Sequence, residues 1–303
     1  MIPASPIGQP SIAEMEDLPL YHYRPGTTAL LLEATGCSCR CTYCDRPALA
    51  RSTEWAPYDP LKVESILQAT TGRNPPLSAI AWDGGEPALR WDNVLECAEV
   101  AHRHDRGVIV VTNGGVSAGL LSQSPSSVDA LLVRFRGFSE EAYRRCGAPL
   151  LWEQSTSLVE YAAGNDLHVE LSLDIVRSDG EAQDDFDAMT TWMAQRLRRS
   201  IPLHLRAIAP EHGFKIRQGP VMPFLENLVE SARKQHVGFV YLSNCHGHFF
   251  NSTMCPNCFT VVVDRTTRPL DLSLVTDGRC GNCGTDLAMN ISKEKKWEGP
   301  GES

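Results

Sequence analysis

Three cysteines near the start of the chain have a spacing that suits a metal cluster. Three residues separate Cys37 from Cys41, and two separate Cys41 from Cys44. Thiolates at this spacing can converge on a cubane iron–sulfur cluster and leave its fourth iron without a protein ligand. A zinc site or reactive thiols are the alternative, but three cysteines without a nearby fourth ligand make a poor closed zinc site. We therefore predict a [4Fe–4S] cluster with one iron open to a substrate or cofactor.

Four further cysteines form a second group in the C-terminal part of the chain. Cys255 and Cys258 make one Cys-x-x-Cys pair, and Cys280 and Cys283 make another. Two such pairs indicate four thiolates on one metal site. Zinc in a ribbon-like module is one interpretation, and an auxiliary iron–sulfur cluster is the other. Cys39, Cys97 and Cys146 are expected to be buried thiols, and the alternative for Cys39, which lies inside the loop, is a role as a further ligand.

Strand-like and helix-like segments alternate through most of the chain. Apolar runs predict strands at 29–35, 78–82, 107–112, 128–133, 168–175, 203–208 and 238–242. Helical periodicity predicts helices at about 60–70, 90–104, 139–145, 149–163, 184–198 and 221–236. This alternation implies right-handed βαβ units and a parallel sheet, whose ligands bind where the strands end. Three features follow strands at that edge: the cysteine loop, the turn Gly84-Gly85-Glu86, and Asn113-Gly114.

Composition and hydrophobic periodicity divide the chain into four predicted parts. Residues 1–28 form an extension rich in proline and glycine, which we expect to lie on the surface. Residues 29–250 carry the alternating pattern of a barrel. Residues 251–290 form a small four-cysteine module, and residues 291–303 form a polar tail that is expected to be flexible.

Composition limits the possible partners and compartment. The chain of 303 residues is 42% hydrophobic and carries a formal net charge of −9, without a long basic run. We therefore expect neither a nucleic-acid partner nor a membrane span. The N-terminus lacks the basic and apolar regions of a secretory signal, which predicts a cytoplasmic location where thiols stay reduced.

Taken together, the cysteine loop and the following glycine turn resemble the radical S-adenosylmethionine (radical SAM) superfamily. In that superfamily the residue before the third cysteine is usually aromatic, as Tyr43 is here. A Gly-Gly-Glu type of turn follows the second strand, as at Gly84, Gly85 and Glu86. The resemblance implies a partial (β/α)6 barrel of the TIM type. It also implies that a reduced cluster cleaves S-adenosylmethionine to a 5′-deoxyadenosyl radical, which abstracts hydrogen from a substrate.

The same resemblance assigns expected roles to individual residues around the cofactor. The methionine end would be held by Gly84, Gly85 and Glu86. Asn113 and Gly114 would contact the ribose or the methionine. Tyr43 would pack beside the adenine, and a flavodoxin- or ferredoxin-type protein would deliver the electron.

A finer resemblance is to the radical SAM component of the AmmeMemoRadiSam system, a relative of the pyruvate formate-lyase activating enzymes. It rests on the blocks at 19–26, 111–114, 137–143, 202–206 and 251–258, and covers about residues 19–290. Strand four departs from these relatives, which usually end it Asp-Leu-Lys. Arg134 and Arg136 take the places of that acid and that lysine, which casts doubt on an activase-type cation site. We hypothesise that they bind a negatively charged substrate group; the alternative is that they pair with acidic residues of the barrel.

Two residues on strand six complete the candidate set. His204 and Arg206 alternate on that strand, so both could face the barrel interior. Arg206 could bind the methionine carboxylate through paired hydrogen bonds. We therefore name Arg134, Arg136 and His204 as candidate catalytic residues. The loop 245–248 is interpreted as a cap on the barrel, with metal or proton transfer as its alternative role.

Three functions compete at this stage. The chain could be a radical SAM enzyme that modifies a small molecule or peptide within the barrel. It could instead be an activase that takes hydrogen from a glycine of a partner enzyme. The four-cysteine module argues mildly against an activase, because an activase needs an open barrel mouth and usually carries no bulky C-terminal module. Finally, it could be a non-catalytic metal-binding protein.

Overall fold

A computed structural model of the chain describes residues 8–147, 151–208, 222–245 and 247–291. Residues 1–7 of the predicted extension and residues 292–303 of the predicted tail therefore lie outside the described residues. No described helix is both long and apolar enough to pass through a bilayer.

Within the described residues, eight strands form one sheet in chain order. Strands β2 to β8 run parallel, and β1 pairs antiparallel with β2 at the edge. The predicted α/β barrel architecture is thus confirmed, with an added edge strand that the sequence pattern did not reveal. The strands β1 to β8 are Ser11–Glu14, Thr28–Leu32, Leu77–Trp82, Gly107–Thr112, Ala130–Phe135, His168–Ile175, Leu203–Ala207 and Val240–Leu242.

Helices connect the parallel strands and cover the outer face of the sheet. The helices α1 to α8 are Pro47–Arg51, Pro60–Ala69, Trp91–Arg103, Ala118–Ser122, Glu140–Cys146, Leu151–Gly164, Gly180–Arg196 and Met222–Lys234. Local chemistry fixes their starts: Asp59 caps α2 by accepting from the Leu61 N–H at 3.0 Å, and Pro60 supplies a preset φ. The short helices α1 and α4 carry too few turns to give a periodic signal, so they were not predicted.

Side-chain alternation along the strands builds two cores, one on each face of the sheet. Leu30 and Leu32 point outward into the core shared with the helices. Ala29 and Leu31 point inward, where they pack against residues of the N-terminal segment. Because both faces are covered, every residue of β2, β3 and β4 is buried.

The N-terminal segment is not a surface extension, contrary to the sequence-based expectation. Met15, Leu18 and Leu20 are fully buried against the inner face of the sheet. Arg24 donates to the carbonyl of Ser78 near the start of β3. The segment therefore closes the barrel at the N-terminal ends of the strands, leaving the opposite end for the cysteine loop.

The C-terminal module packs against the same closed end. It contains strands β9 to β12, which are Thr253–Met254, Val261–Val263, Val275–Thr276 and Arg279–Cys280. The carbonyl of Leu287 lies 2.8 Å from His22 Nδ1, and the Asn290 N–H donates to the His22 carbonyl at 2.7 Å. Arg265, itself buried, donates to the carbonyl of Tyr21 at 2.8 Å and stacks over its ring. The four-cysteine module and the three-cysteine loop therefore lie at opposite ends of the barrel.

Candidate active site

The cysteine loop leaves the C-terminal end of β2 and is fixed at both of its sides. The Gly36 N–H donates to Leu49 of α1 at 3.1 Å, so the loop entrance is tied to the helix that follows it. The Arg40 N–H donates to the Gly147 carbonyl at 2.9 Å, which ties the loop centre to the end of α5. The loop is therefore held by two helices even though it forms no regular structure of its own.

The three predicted cluster ligands are brought to this end but not into one tight group. Within the described residues, Cys37, Cys41 and Cys44 do not form a set of sulfurs all within 4.8 Å of one another. One metal ion would need the three sulfurs closer together, whereas in a cubane cluster each thiolate binds a different iron. Hydrogen bonds from Cys146 and then Cys39 lower the pKa of Cys41 to about 3. The loop thus favours a thiolate at Cys41.

The glycine turn after β3 lies directly against this loop. The Glu86 N–H donates to the Gly36 carbonyl at 2.8 Å. Gly85 has a φ of +56°, and a Cβ there would lie 2.0 Å from the Ala34 carbonyl oxygen. Only glycine allows this close approach of two backbones.

The buried carboxylate of Glu86 connects the turn to the end of β4. It accepts from the Thr112 hydroxyl at 2.8 Å, from the Asn113 N–H at 2.9 Å and from the Gly115 N–H at 3.3 Å. Burial raises the pKa of Glu86, and these hydrogen bonds oppose that rise. The predicted role of Glu86 in fixing the turn agrees with this geometry.

Asn113 is the side chain at which the predicted elements meet. Its Nδ2 lies 3.2 Å from the Gly85 carbonyl and 4.0 Å from the Cys37 sulfur. Its Oδ1 accepts from Arg136. The glycine turn, the cysteine loop and strand β5 therefore converge within reach of one amide.

Arginines and carboxylates alternate around the inner rim of the barrel at this end. Arg136 pairs with Asp174, which also accepts from Arg206 Nε at 2.7 Å. Burial acts to raise the pKa of Asp174, but Arg206 and Arg136 outweigh it and lower the pKa. Arg206 also reaches Asp45 at 3.0 Å.

The rest of this rim follows the same rule. Arg134 donates to Asp83 at 2.9 Å, and Arg46 pairs with Glu33 at 2.5 Å. We call the whole set the arginine–carboxylate belt, which comprises Arg46, Arg134, Arg136, Arg206, Glu33, Asp45, Asp83 and Asp174. The belt balances its charges, so the alternative that the strand-four arginines pair with barrel acids is the one the geometry supports.

A cavity of about 230 Å³ opens beside the belt, between the cysteine loop and the start of α7. Tyr43, Ile175 and Val176 line it with apolar surface, and Arg136 and Asp174 form its polar side. Tyr43 is buried, and its hydroxyl is 3.5 Å from the Arg136 carbonyl. The cavity therefore combines apolar surface with a few charged groups, as ligand-binding pockets commonly do.

His204 lies one layer below this convergence, on the inner face of the barrel. It is fully buried one layer below Arg206, where its Nε2 is 2.8 Å from Glu170. Glu170 also accepts from the backbone N–H groups of Tyr21 and His22 at 3.0 and 2.8 Å. Burial lowers the pKa of His204, so it stays neutral and helps hold the N-terminal segment in place.

A comparison with known protein families identifies the superfamily of the chain. The model of the radical SAM superfamily matches residues 34–193, which is just over half of the chain. The chain belongs to the radical SAM superfamily. Membership implies S-adenosylmethionine and a [4Fe–4S] cluster as cofactors.

The most informative relatives of this radical SAM protein differ in how much of their length it spans. An uncharacterized protein of Methanocaldococcus jannaschii is 26% identical over 91% of this chain and 82% of its own length. SuiB of Streptococcus suis, solved with S-adenosylmethionine, has a TM-score of 0.52 and 13% identity over 67% of this chain. The match covers 47% of SuiB, so the chain spans about half the length of that protein. TYW1, solved with a lysine-pyruvate adduct, has a TM-score of 0.51 and 15% identity, covering 68% of this chain and 73% of its own.

The second cysteine group of this radical SAM protein is compact. Cys255 and Cys283 sulfurs are 3.6 Å apart, and those of Cys258 and Cys280 are 3.7 Å apart. All four sulfurs lie within 4.8 Å of one another, so the predicted convergence of four thiols is confirmed.

Sequence reasoning missed several residues that organise the site. Asp174 and Asp45 hold the belt arginines, and Glu170 anchors the N-terminal segment, but isolated acids on strands and loops carry no motif. The inward position of Glu170 and Asp174 could have been predicted from the period of two, since polar and apolar residues alternate along β6. His248 lies 3.0 Å from Glu226, so the loop that contains His248 is tied to the outer helix α8.

Proposed function

We propose that this protein generates a radical from S-adenosylmethionine and uses it to take hydrogen from a small molecule or peptide. The observation that carries the proposal is Asn113, which contacts the Gly85 carbonyl, approaches the Cys37 sulfur and bonds to Arg136. A cofactor bound between these three partners would lie against the open iron of a cluster on Cys37, Cys41 and Cys44. When bound, the cluster would supply the electron for reductive cleavage of the cofactor.

The chain's own residues would hold each end of the cofactor. Backbone carbonyls at Gly84 and Gly85 would accept from the methionine ammonium. Arg136 is the better partner for the methionine carboxylate, since its buried Nε has no hydrogen-bond partner among the described residues. Arg206, the predicted partner, already bonds to two carboxylates.

The cavity beside Tyr43 is the proposed adenine site. Its apolar lining suits the flat faces of a purine, and its carboxylate and backbone edge suit the exocyclic amine. Asn113 and Gly114 would then lie near the ribose, as expected from the sequence. Occupation of this cavity would exclude water from the belt, which strengthens its ion pairs.

The substrate would meet an inward-facing polar layer that shares Arg134 with the belt. Arg134, Ser172 and His204 occupy matching positions on β5, β6 and β7. Arg134 Nε, Ser172 Oγ and His204 Nδ1 are buried without a partner among the described residues. The Nε2–H of His204 donates to Glu170, so Nδ1 of this neutral ring is free to accept a hydrogen bond. The Nε–H of Arg134 is a hydrogen-bond donor.

A hydroxyl group on the substrate would satisfy both the donor and the acceptor of this layer. The charge balance of the belt removes the earlier reason to expect an anionic substrate. SuiB has been solved with its precursor peptide SuiA, which keeps a peptide among the candidates.

The activase alternative is not weakened by the four-cysteine module. That module contacts the closed end of the barrel, so it does not obstruct the mouth at which a glycine loop would enter. The two catalytic alternatives differ in where hydrogen is lost. Deuterium from a labelled small molecule would appear in 5′-deoxyadenosine under our proposal, whereas an activase would require a protein partner.

The compact group at Cys255, Cys258, Cys280 and Cys283 is best explained as a zinc site. Tetrahedral zinc with bonds of about 2.3 Å places its sulfurs about 3.8 Å apart. The observed 3.6 and 3.7 Å agree with one ion, whereas thiolates on separate irons of a cluster would lie farther apart. The site would be structural, and its position at the closed end separates it from the radical chemistry.

Anaerobic reconstitution with iron and sulfide tests the proposal. We expect one [4Fe–4S] cluster and one zinc per chain, and 5′-deoxyadenosine when a flavodoxin- or ferredoxin-type reductant, or dithionite, is added. A Cys41→Ala variant should lose both the cluster and the product, while Cys97→Ala, which removes a buried thiol of the outer core, should keep both. Failure of the reconstituted protein to cleave S-adenosylmethionine would favour the non-catalytic alternative. Reduced thiols at both sites are also the reason we propose a cytoplasmic location.

A further inference from the structure

A cavity of about 430 Å³ lies between the four-cysteine module and the closed end of the barrel. The turns that lead into β7 and β8 form its barrel side, and the first Cys-x-x-Cys pair forms its module side. None of the residues proposed above for the cluster, S-adenosylmethionine or the substrate lines it. Its volume is typical of small-ligand pockets, so this junction is a second place at which the chain could bind a molecule.

The barrel side of this cavity is cationic, although the chain as a whole carries a net charge of −9. Arg199, Arg233 and His236 line it. Among the residues that the structure describes, none of these three side chains forms an ion pair. By contrast, Arg198, which is next to Arg199 in the chain, pairs with Asp166 at 3.0 Å. The cavity therefore offers cationic groups that a bound anion would neutralise.

One acid also lines the cavity, and it lies on the module side. The Asp286 carboxylate accepts from the Ala288 N–H at 2.8 Å, so it serves a turn of the module. On the barrel side, the guanidinium of Arg233 stacks over the Phe250 ring, 4.9 Å from its centre. Stacking uses the face of the guanidinium and leaves its N–H edge for a ligand. An anionic group would therefore bind against the barrel side, away from Asp286.

The module side presents an aromatic ring on an unfavourable backbone. Phe259 lines the cavity, yet its side chain is 71% exposed and its φ is +60°. Gly284 holds the equivalent position after the second cysteine pair, with a φ of +74°. The N–H groups of these two residues donate to the carbonyls of Cys255 and Cys280 at 3.0 and 2.7 Å, so both pairs form the same turn.

Glycine adopts that turn freely, whereas a bulky residue adopts it only at a cost in free energy. The exposed Phe259 ring recovers little of that cost by packing within the protein. Backbone strain of this kind is found where a side chain serves a ligand. Contact with a flat ligand would account for a phenylalanine at this position.

We propose that this cavity binds a phosphorylated planar ring of the nucleotide type, with its phosphate against Arg199 and Arg233 and its ring stacked on Phe259. Arginine binds phosphate oxygens through paired charge-assisted hydrogen bonds. Stacking on an aromatic side chain tolerates any base, so the site would select the class of ligand and not one base. The inference goes beyond the proposed function, because it requires neither the cluster nor cleavage of S-adenosylmethionine.

A free mononucleotide and the end of an RNA strand present the same chemistry. The net charge of −9 opposes binding of an extended polyanion. We therefore expect the free mononucleotide to be the ligand.

The test is calorimetric titration of the zinc-loaded full chain with AMP. Phe259→Gly and Arg199→Gln should each weaken AMP binding about tenfold or more, through the lost stacking and the lost phosphate contact. Phe259→Trp should keep the affinity. The matched control is Leu274→Ala, because Leu274 is an exposed apolar residue of the same module that does not line the cavity. Inorganic phosphate and adenosine should each bind more weakly than AMP, and 5′-phosphorylated pentaadenylate should bind no more tightly.

Thermal unfolding separates a ligand contact from a structural role of the ring. Phe259→Gly should unfold at the temperature of the parent protein or above it, because glycine relieves the left-handed backbone. A much lower unfolding temperature would show that the ring serves the fold, and it would overturn the inference.

The other outcomes that overturn the inference concern binding. They are a parent protein that binds no AMP, an AMP affinity unchanged in Phe259→Gly and Arg199→Gln, and displacement of AMP by excess S-adenosylmethionine, which would place AMP in the cavity beside Tyr43. Tighter binding of the pentaadenylate would overturn the choice of a free mononucleotide and identify an RNA end as the ligand. A protein that fails to cleave S-adenosylmethionine yet binds AMP at Phe259 would contradict the proposed function alone.

Discussion

Replacing Gly85 by alanine tests whether the glycine turn is required for its close backbone contact. A left-handed φ costs a residue with a Cβ about 1–2 kcal/mol. The new Cβ would also lie 2.0 Å from the Ala34 oxygen and 2.5 Å from the Gly36 oxygen, both of them backbone atoms. Relief of that overlap adds about 1–3 kcal/mol. We therefore expect Gly85→Ala to be destabilised by about 2–5 kcal/mol or to move the turn away from the cysteine loop.

Either outcome should weaken cofactor binding. Losing one hydrogen bond to the methionine ammonium costs about 1.5–3 kcal/mol, which is roughly tenfold or more in affinity. The assay is anaerobic equilibrium dialysis of S-adenosylmethionine with cluster-loaded protein, beside thermal unfolding. Gly72→Ala is the matched control, because Gly72 has a φ of +78° but open space around it. If Gly85→Ala bound the cofactor normally and unfolded like the Gly72 variant, our account of the turn would be refuted.

Three further predictions concern other parts of the molecule. Burial lowers the pKa of His22 from 6.5 to about 3. The unfolded chain therefore binds more protons than the folded one, and stability should decline as pH falls below 6.5. The melting temperature of His22→Gln should fall less steeply with pH, and equal slopes for the variant and the parent protein would contradict this prediction. Removing zinc with a chelator, or replacing Cys258 by serine, should lower the melting temperature while leaving cluster absorbance per folded chain unchanged; loss of the cluster would mean that the two sites are coupled. Arg136→Gln should weaken S-adenosylmethionine binding about tenfold or more, because a charge-assisted hydrogen bond to the methionine carboxylate is lost. An unchanged affinity in equilibrium dialysis would contradict this role and favour Arg206 as the partner of that carboxylate.

Local chemistry explains why much of this protein could be predicted from its sequence. The spacing of Cys37, Cys41 and Cys44 is a property of one loop, and the two Cys-x-x-Cys pairs are equally local. Strands such as β2, β3 and β4 were predicted because they are buried on both faces and therefore read as largely apolar runs, whereas β6 and β7 were predicted from apolar residues at every second position. Such local patterns can be recognised in the sequence without knowing which distant segments come into contact.

Contacts between distant segments decided the rest. The N-terminal segment was predicted to be a surface extension because of its prolines and glycines. Met15, Leu18 and Leu20 of that segment are nevertheless buried, because the curved sheet packs around them. His204 and Arg206 share a strand and a face, yet they differ in role because Glu170 and Asp174 meet them at different depths.

The same division applies to the two metal groups and to the strand-four arginines. The sequence alone determined that seven cysteines form two groups and that the first belongs beside Gly84-Gly85-Glu86. Only the tertiary structure placed the second group at the closed end of the barrel and gave each arginine of the belt a carboxylate. A motif records which residues bind a metal, but charge balance and proximity depend on partners that are far away in the chain and adjacent only after folding.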